Sequence, residues 1–127
     1  MFYLGIDIGK NTHVASMIGE EGKPIFRAFS FSNTTEGGES LLAKLSNIAA
    51  AELAIGLEAT GHYWLAVYSY LRDRGYKIHV INPIQTDGWR KGVEIRRRKT
   101  DVIDSLLIAE LIRYGDFIEA QLPDTLP

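Results

Sequence analysis

The apolar positions at the start of the chain recur with the short period of strands. Phe2-Tyr3-Leu4-Gly5-Ile6-Asp7-Ile8-Gly9-Lys10 is an apolar run with a carboxylate near its end, and it predicts a buried strand. Residues 12 to 19 predict a second strand and Pro24 to Phe31 a third, with Glu20-Glu21-Gly22-Lys23 as the turn between them. In the third, Ile25, Arg27, Phe29 and Phe31 alternate against Phe26 and Ala28. Connections this short predict an antiparallel meander. The period then lengthens. Leu41, Leu42, Leu45, Ile48 and Ala49 fall at helical spacing, whereas residues 52 to 58 return to a strand apolar enough to be covered on both faces. Trp64, Val67, Tyr68 and Leu71 form the stripe of a helix over 62–74 that Gly75 stops, and this spacing assigns Trp64 and Tyr68 to the core. Lys77 to Ile81 predicts a fifth strand closed by Asn82-Pro83, and residues 84–99 read as a polar, basic connection. A last helix, capped by Thr100, carries Ile103, Leu106, Leu107, Leu111 and Tyr114 on one stripe. His13 and His79 fall inside strand patterns and are assigned structural roles.

Three antiparallel strands followed by alternating helices and strands predict an α/β domain with a mixed five-stranded sheet flanked by helices, over residues 1–118. Residues 119–127, with two prolines among the last five, read as the start of a linker to a further C-terminal domain.

At 127 residues the chain is one domain with room for a single core. No apolar run approaches the ~18 residues of a membrane-spanning helix, and no signal-peptide pattern precedes the first strand. The absence of cysteine excludes a disulfide framework or thiolate metal site, and a cytoplasmic location is the expectation. Net charge is −2, which argues against a uniformly basic nucleic-acid binder. That average hides Arg90, Lys91, Arg96, Arg97, Arg98 and Lys99, which hold 6 of the 14 cations within ten residues. Such a cluster suits phosphate backbones, while a solvated charged loop is the plainer alternative.

Directly after the cations come Asp101 and Asp104, three residues apart and so neighbours on one helix face. Such a pair either complements the helix dipole in solvent or shares a cation. Asp7 and Glu58 stand near the ends of two predicted central strands; if these are parallel neighbours, both open onto the sheet edge where α/β folds bind ligands. The competing reading for Asp7 is a strand-end carboxylate bonding a turn amide, and for Glu58 a structural glutamate, which has less to do at the end of an apolar strand just before Thr60-Gly61. Four carboxylates without sulfur or paired histidine describe a hard-cation site for Mg²⁺ or Mn²⁺, and two such ions can serve displacement at phosphorus. Lys10, a candidate phosphate contact, could equally pair with an acid. Thr60 and His62 follow Glu58 and are candidate supporting contacts, with a solvent-exposed helix entry as the alternative for His62. Tyr63 falls off the buried stripe. Ser105 adjoins the acidic pair but has no activating base nearby in the sequence, so it is not assigned as a nucleophile.

Four blocks then carry a resemblance: Leu4-Gly5-Ile6-Asp7-Ile8-Gly9-Lys10, Leu57-Glu58-Ala59-Thr60-Gly61-His62-Tyr63-Trp64, Val80-Ile81-Asn82-Pro83 and Lys99-Thr100-Asp101-Val102-Ile103-Asp104-Ser105. Over roughly residues 2–115 the chain resembles the DEDD transposases of bacterial insertion sequences. The N-terminal domain of these recombinases is similar to the Holliday-junction resolvase RuvC, within the ribonuclease H-like fold. The resemblance implies that Asp7, Glu58, Asp101 and Asp104 are an acidic tetrad binding divalent metal for DNA strand cleavage and exchange. It also implies a structured bridge RNA as partner, a C-terminal domain with a nucleophilic serine, a homo-oligomer in the full-length protein, and a bacterial or archaeal cytoplasm. Other readings of the same residues are a junction-resolving nuclease and a non-catalytic nucleic-acid-binding or assembly domain of the same fold. Asp7-Ile8-Gly9-Lys10 is also similar to the phosphate loop of actin-like ATPases, but these enclose nucleotide between two such domains. Metal titration separates the catalytic from the non-catalytic readings, and nucleotide binding separates the ATPase from both.

Overall fold

The computed structural model describes residues 1–97, 104–115, 117–120 and 122, and of residues 90 and 93–97 the backbone alone. Five strands form one sheet: β1 (Phe2–Asp7), β2 (Thr12–Ile18), β3 (Pro24–Ser32), β4 (Leu53–Glu58) and β5 (Lys77–Ile81), in the order β3-β2-β1-β4-β5. β1, β2 and β3 make the antiparallel meander, and β4 and β5 add to β1 in parallel. The mixed five-stranded sheet is thus the one the element order predicts.

α1 (Thr35–Lys44) and α2 (Leu65–Asp73) cover one face. Thr34 starts α1 by accepting the Gly37 amide on its hydroxyl at 3.0 Å. Leu41 and Leu45 from the α1 segment and Trp64, Val67 and Leu71 from the α2 segment bury against Leu4, Ile6, Ala15, Met17, Ile55 and Leu57 of the sheet. Gly75, at φ 87°, takes the left-handed conformation that ends α2. α4 (Asp104–Tyr114) covers the other face, where Ile108, Leu111 and Ile112 pack with Ile81, and Leu106 and Ala109 pack with Ile18.

α4 approaches the sheet closely because two glycines are paired beneath it, Gly5 of β1 against Gly56 of β4. A Cβ on Gly5 would stand 2.0 Å from the Ser105 carbonyl oxygen, and one on Gly56 would stand 2.7 Å from Cγ2 of Ile112. Further along, the Arg113 guanidinium lies against Gly22 in the β2–β3 turn. α4 therefore runs antiparallel to β1, and its N-terminus sits at the edge where β1 and β4 end.

Two elements depart from the sequence pattern. Residues 84–97 are not a basic connection but belong to the helix α3 (Pro83–Arg97). Asn82 starts it, its side-chain oxygen accepting the Ile84 amide at 2.9 Å, and Pro83 fits the first helical position, where no amide donor is required. Trp89 anchors the helix by packing against the cluster of Ile81, Ile108, Leu111 and Ile112, its ring centroid 5.1 Å from that of Tyr114. β3 does not alternate simply. Its register with β2 shifts after Ala15, and Ala28 adopts φ 53° while its amide donates to Ser16 Oγ at 2.9 Å. The shift changes the phase, so Phe26, Phe29 and Phe31 all turn toward the α1 side while Ile25 remains 54% exposed. The predicted cap Thr100 lies outside the described residues, as do Arg98, Lys99 and Asp101.

Candidate functional site

β1 and β4 are in register through Ile6 and Leu57, so Asp7 and Glu58 are the next residues at the ends of adjacent parallel strands. Gly5 and Gly56 face α4, and side chains two residues apart on a strand share a face. Asp7 and Glu58 therefore project toward the α4 side. Asp104, the first described residue of α4, precedes the Ser105 carbonyl that lies over Gly5. All three carboxylates belong to the same end of the same sheet face, each only partly buried. Among the described residues, no three histidine or carboxylate side chains are gathered into a metal-holding group. The fourth carboxylate, Asp101, is outside the described residues.

The surroundings are polar and local. Thr60 donates its hydroxyl proton to Oε2 of Glu58 at 3.2 Å. Lys10 is exposed in the turn after Asp7, and its carbonyl accepts from the Asn33 side chain at 3.4 Å. His62 is exposed and lies against the Tyr63 ring, their centroids 4.4 Å apart. Ser105 is fully buried and shares a 2.7 Å hydrogen bond with Ser16, so it ties α4 to β2. Of the cations, Arg90, Lys91, Arg96 and Arg97 belong to α3, and Lys91 is exposed.

On the opposite face, at the same end of the sheet, His13 is completely buried. Its Nδ1 accepts the Gly9 amide at 3.1 Å, so in the neutral ring the proton resides on Nε2. Burial pushes its pKa below the ordinary 6.5, and the neighbouring Asn33 side chain offsets part of that. Above about pH 6.5 neither the folded nor the unfolded chain takes up the proton, while below it the unfolded chain does so first. His13 should therefore make the fold less stable as pH falls from 7 toward 5, with a slope of up to about 1.4 kcal/mol per pH unit. Denaturant titrations at several pH values should show this slope flattened in His13→Gln. An unchanged slope would assign the acid sensitivity to other groups.

The profile of the IS110-type DEDD family, described as transposase, matches residues 4–126. The chain belongs to this transposase family. It is 31% identical over 115 residues to the pilin gene-inverting proteins of Moraxella bovis and Moraxella lacunata, covering 89% of its own length and 34% of each relative. It thus spans about a third of those proteins. A RuvC from T. thermophilus, solved in complex with a Holliday junction substrate, superposes with a TM-score of 0.59 at 14% identity, covering 91% of this chain and 94% of that one. This transposase-family domain has the RuvC-like, ribonuclease H-like fold expected from its sequence blocks.

Proposed function

We propose that this chain is the catalytic domain of a DNA recombinase, performing divalent-metal-dependent strand cleavage and exchange with Asp7, Glu58, Asp101 and Asp104 as its acidic groups. The observation that carries the reading is the register ending β1 and β4 side by side beneath the N-terminus of α4. The family match and the relatives described as gene-inverting proteins support DNA as the substrate. The donor set fits a hard cation, because every candidate ligand is a carboxylate and the chain has no cysteine. Mg²⁺ or Mn²⁺ held there would supply Lewis-acid stabilisation of charge developing on the transferred phosphorus oxygens. The protein's own contribution is to fix the carboxylates on rigid strand ends. Thr60 restrains Glu58, Lys10 and His62 flank the edge as candidate phosphate and supporting contacts, and the cations of residues 90–99 draw the backbone in. A structured guide RNA as second partner, a homo-oligomeric full-length protein and a cytoplasmic location belong to the same proposal. Among the described residues no helix is long and apolar enough to cross a membrane.

Because the chain spans about a third of its relatives, binding is a better readout than turnover. Millimolar Mg²⁺ or Mn²⁺ should raise the melting temperature, since an ion bound only by the folded state stabilises it by about 2.7 kcal/mol at a hundredfold excess over its Kd. Asp7→Asn should remove most of that rise, because a neutral amide is a far weaker ligand for a hard cation than a carboxylate. A metal response intact in Asp7→Asn would exclude Asp7 as a ligand.

A further inference from the structure

Beside the carboxylate edge, on the sheet face away from α4, lies a cavity of about 260 Å³ walled by His13, Phe31, Asn33, Thr34, Val67 and Tyr70. Two of its polar atoms, His13 Nε2 and Tyr70 Oη, are buried with no well-aligned hydrogen bond to a described residue, and the Asn33 side chain is the polar group beside the imidazole. Such atoms are rare in native folds, and each calls for a partner, whether an ordered water or a bound ligand. Their chemistry is specific. The Gly9 amide occupies Nδ1, so His13 offers an N–H donor, and Tyr70 adds a hydroxyl that can give or accept. No lysine or arginine lines the cavity, and burial favours the uncharged imidazole. A phosphate or carboxylate would therefore find no countercharge. A flat, neutral ring with a carbonyl acceptor fits both the polar atoms and the apolar walls of Phe31, Val67 and the Tyr70 ring.

The location says where such a ring would come from. His13 is held by the turn that follows Asp7, and Asn33 bonds the Lys10 carbonyl in that same turn. Asn33 and Ala66 also border an adjoining groove lined by His62 and Tyr63, which follow the Glu58 strand end. The cavity itself is walled by β2, the β3–α1 loop, α1 and α2, and it adjoins the turns that follow both candidate catalytic carboxylates, through His13 and Asn33 on one side and the shared groove on the other.

We propose that this cavity receives an unstacked nucleobase from the strand lying along the carboxylate edge, a base carbonyl accepting from His13 Nε2 and the ring resting against Phe31, Val67 and Tyr70. The proposal rests on the nucleic-acid reading of that edge. Extruding a base into a side pocket fixes the register of the backbone, and it costs least where the base is already unpaired. The pocket would position the phosphate next to that base.

The test has two arms, both with the 127-residue chain. In the first, thymidine is titrated while the ¹⁵N signals of the His13 ring are followed. In the second, a duplex with one unpaired thymine is compared with the same duplex carrying an abasic residue there, in Ca²⁺ to suppress cleavage. Thymidine should move the His13 signals, and the unpaired thymine should be bound on the order of tenfold tighter than the abasic site. Tyr70→Phe should reduce that preference to roughly threefold, the worth of one hydrogen bond, without lowering the melting temperature, because the hydroxyl has no partner among the described residues to lose. Equal affinity for the two duplexes with unmoved His13 signals would overturn the base pocket and leave the strand-cleavage reading standing. A preference undiminished in Tyr70→Phe would also overturn it, by placing the base elsewhere. Thymidine shifts in a protein that binds neither duplex would instead remove the nucleic-acid reading of the edge and keep a pocket for a free base.

Discussion

Gly5→Ala is expected to lift α4 from the sheet and disturb the edge that carries the carboxylates. The new methyl carbon would stand 2.0 Å from the Ser105 carbonyl oxygen and 2.5 Å from the Ala109 amide nitrogen. Both neighbours are backbone atoms, so no side-chain rotation can make room. The helix must move away from β1, loosening the packing of Ile108 and Ile112 on Gly56 and the Ser16–Ser105 hydrogen bond. Overpacking of this kind costs about 1–3 kcal/mol, or more where only backbone can yield. At roughly 3–6 °C per kcal/mol for a domain of this size, the melting temperature should fall by about 5–15 °C. Gly88→Ala is the control. Nothing lies within 4 Å of its Cβ position, and on α3 the change should gain up to about 1 kcal/mol from helix propensity. A Gly5→Ala protein melting with the wild type would mean that α4 is not seated on β1.

The role of those two glycines shows which parts of the fold can be read from sequence. Each glycine alone is a weak strand residue, and only the register of β1 with β4 reveals that they lie side by side under a helix. The strands themselves were legible, because their apolar runs are bounded by turn residues. The parallel pairing of β1 with β4 follows from a crossover that contains α1. What failed was phase and punctuation. The shift near Ala28 leaves no mark on composition, yet it reverses which side chains of β3 face the core. Asn82-Pro83 reads as the end of a strand and is equally the start of a helix. Gly88, Gly92 and a dense run of cations then obscure the helical spacing of Thr86 and Trp89, which the structure buries fully and partly.

Site residues divide along the same line. Asp7 and Glu58 could be placed because a carboxylate closing an apolar strand has a defined position once strand order is known. His13 could not. Inside an alternating strand pattern it looks like any tolerated core residue. Its setting comes from the Gly9 amide at one ring nitrogen and the cavity shared with Asn33 and Tyr70 at the other, both set by the turn after β1 and by the packing of α2. The cation run was legible as charge, whereas its helical start was not, and this changes how the basic segment would present itself to the nucleic acid proposed above. A 15-residue helix rises about 22 Å, so the cations of α3 are carried on a rigid rod rather than a free loop.

Replacing Arg96, Arg97, Arg98 and Lys99 together with alanine should cause the largest change in nucleic-acid affinity of any surface substitution in this domain. Arg96 and Arg97 close α3, and the cation run ends five residues before Asp104, the first described residue of α4. On the proposed nucleic-acid reading, these four cations meet the phosphates of a backbone passing the carboxylate edge. Each phosphate contact on duplex DNA contributes about 0.9 to the slope of log affinity against log salt, so loss of four contacts should flatten the slope by about 3.6. Between about 50 and about 200 mM salt the wild-type affinity should then fall roughly 150-fold more than that of the variant. The metal-dependent rise in melting temperature should persist in the alanine variant, because the carboxylates keep their positions. Asp101→Asn with Asp104→Asn should do the reverse, losing the metal response while DNA binds as well or more tightly. Isotherms for branched DNA, duplex DNA and structured RNA, taken in Ca²⁺ at several salt concentrations, separate the two sets of residues and rank the three ligands. If the alanine variant keeps the wild-type affinity and slope on all three, the four cations are a solvated surface, and the phosphate contacts of this transposase-family domain must be sought elsewhere.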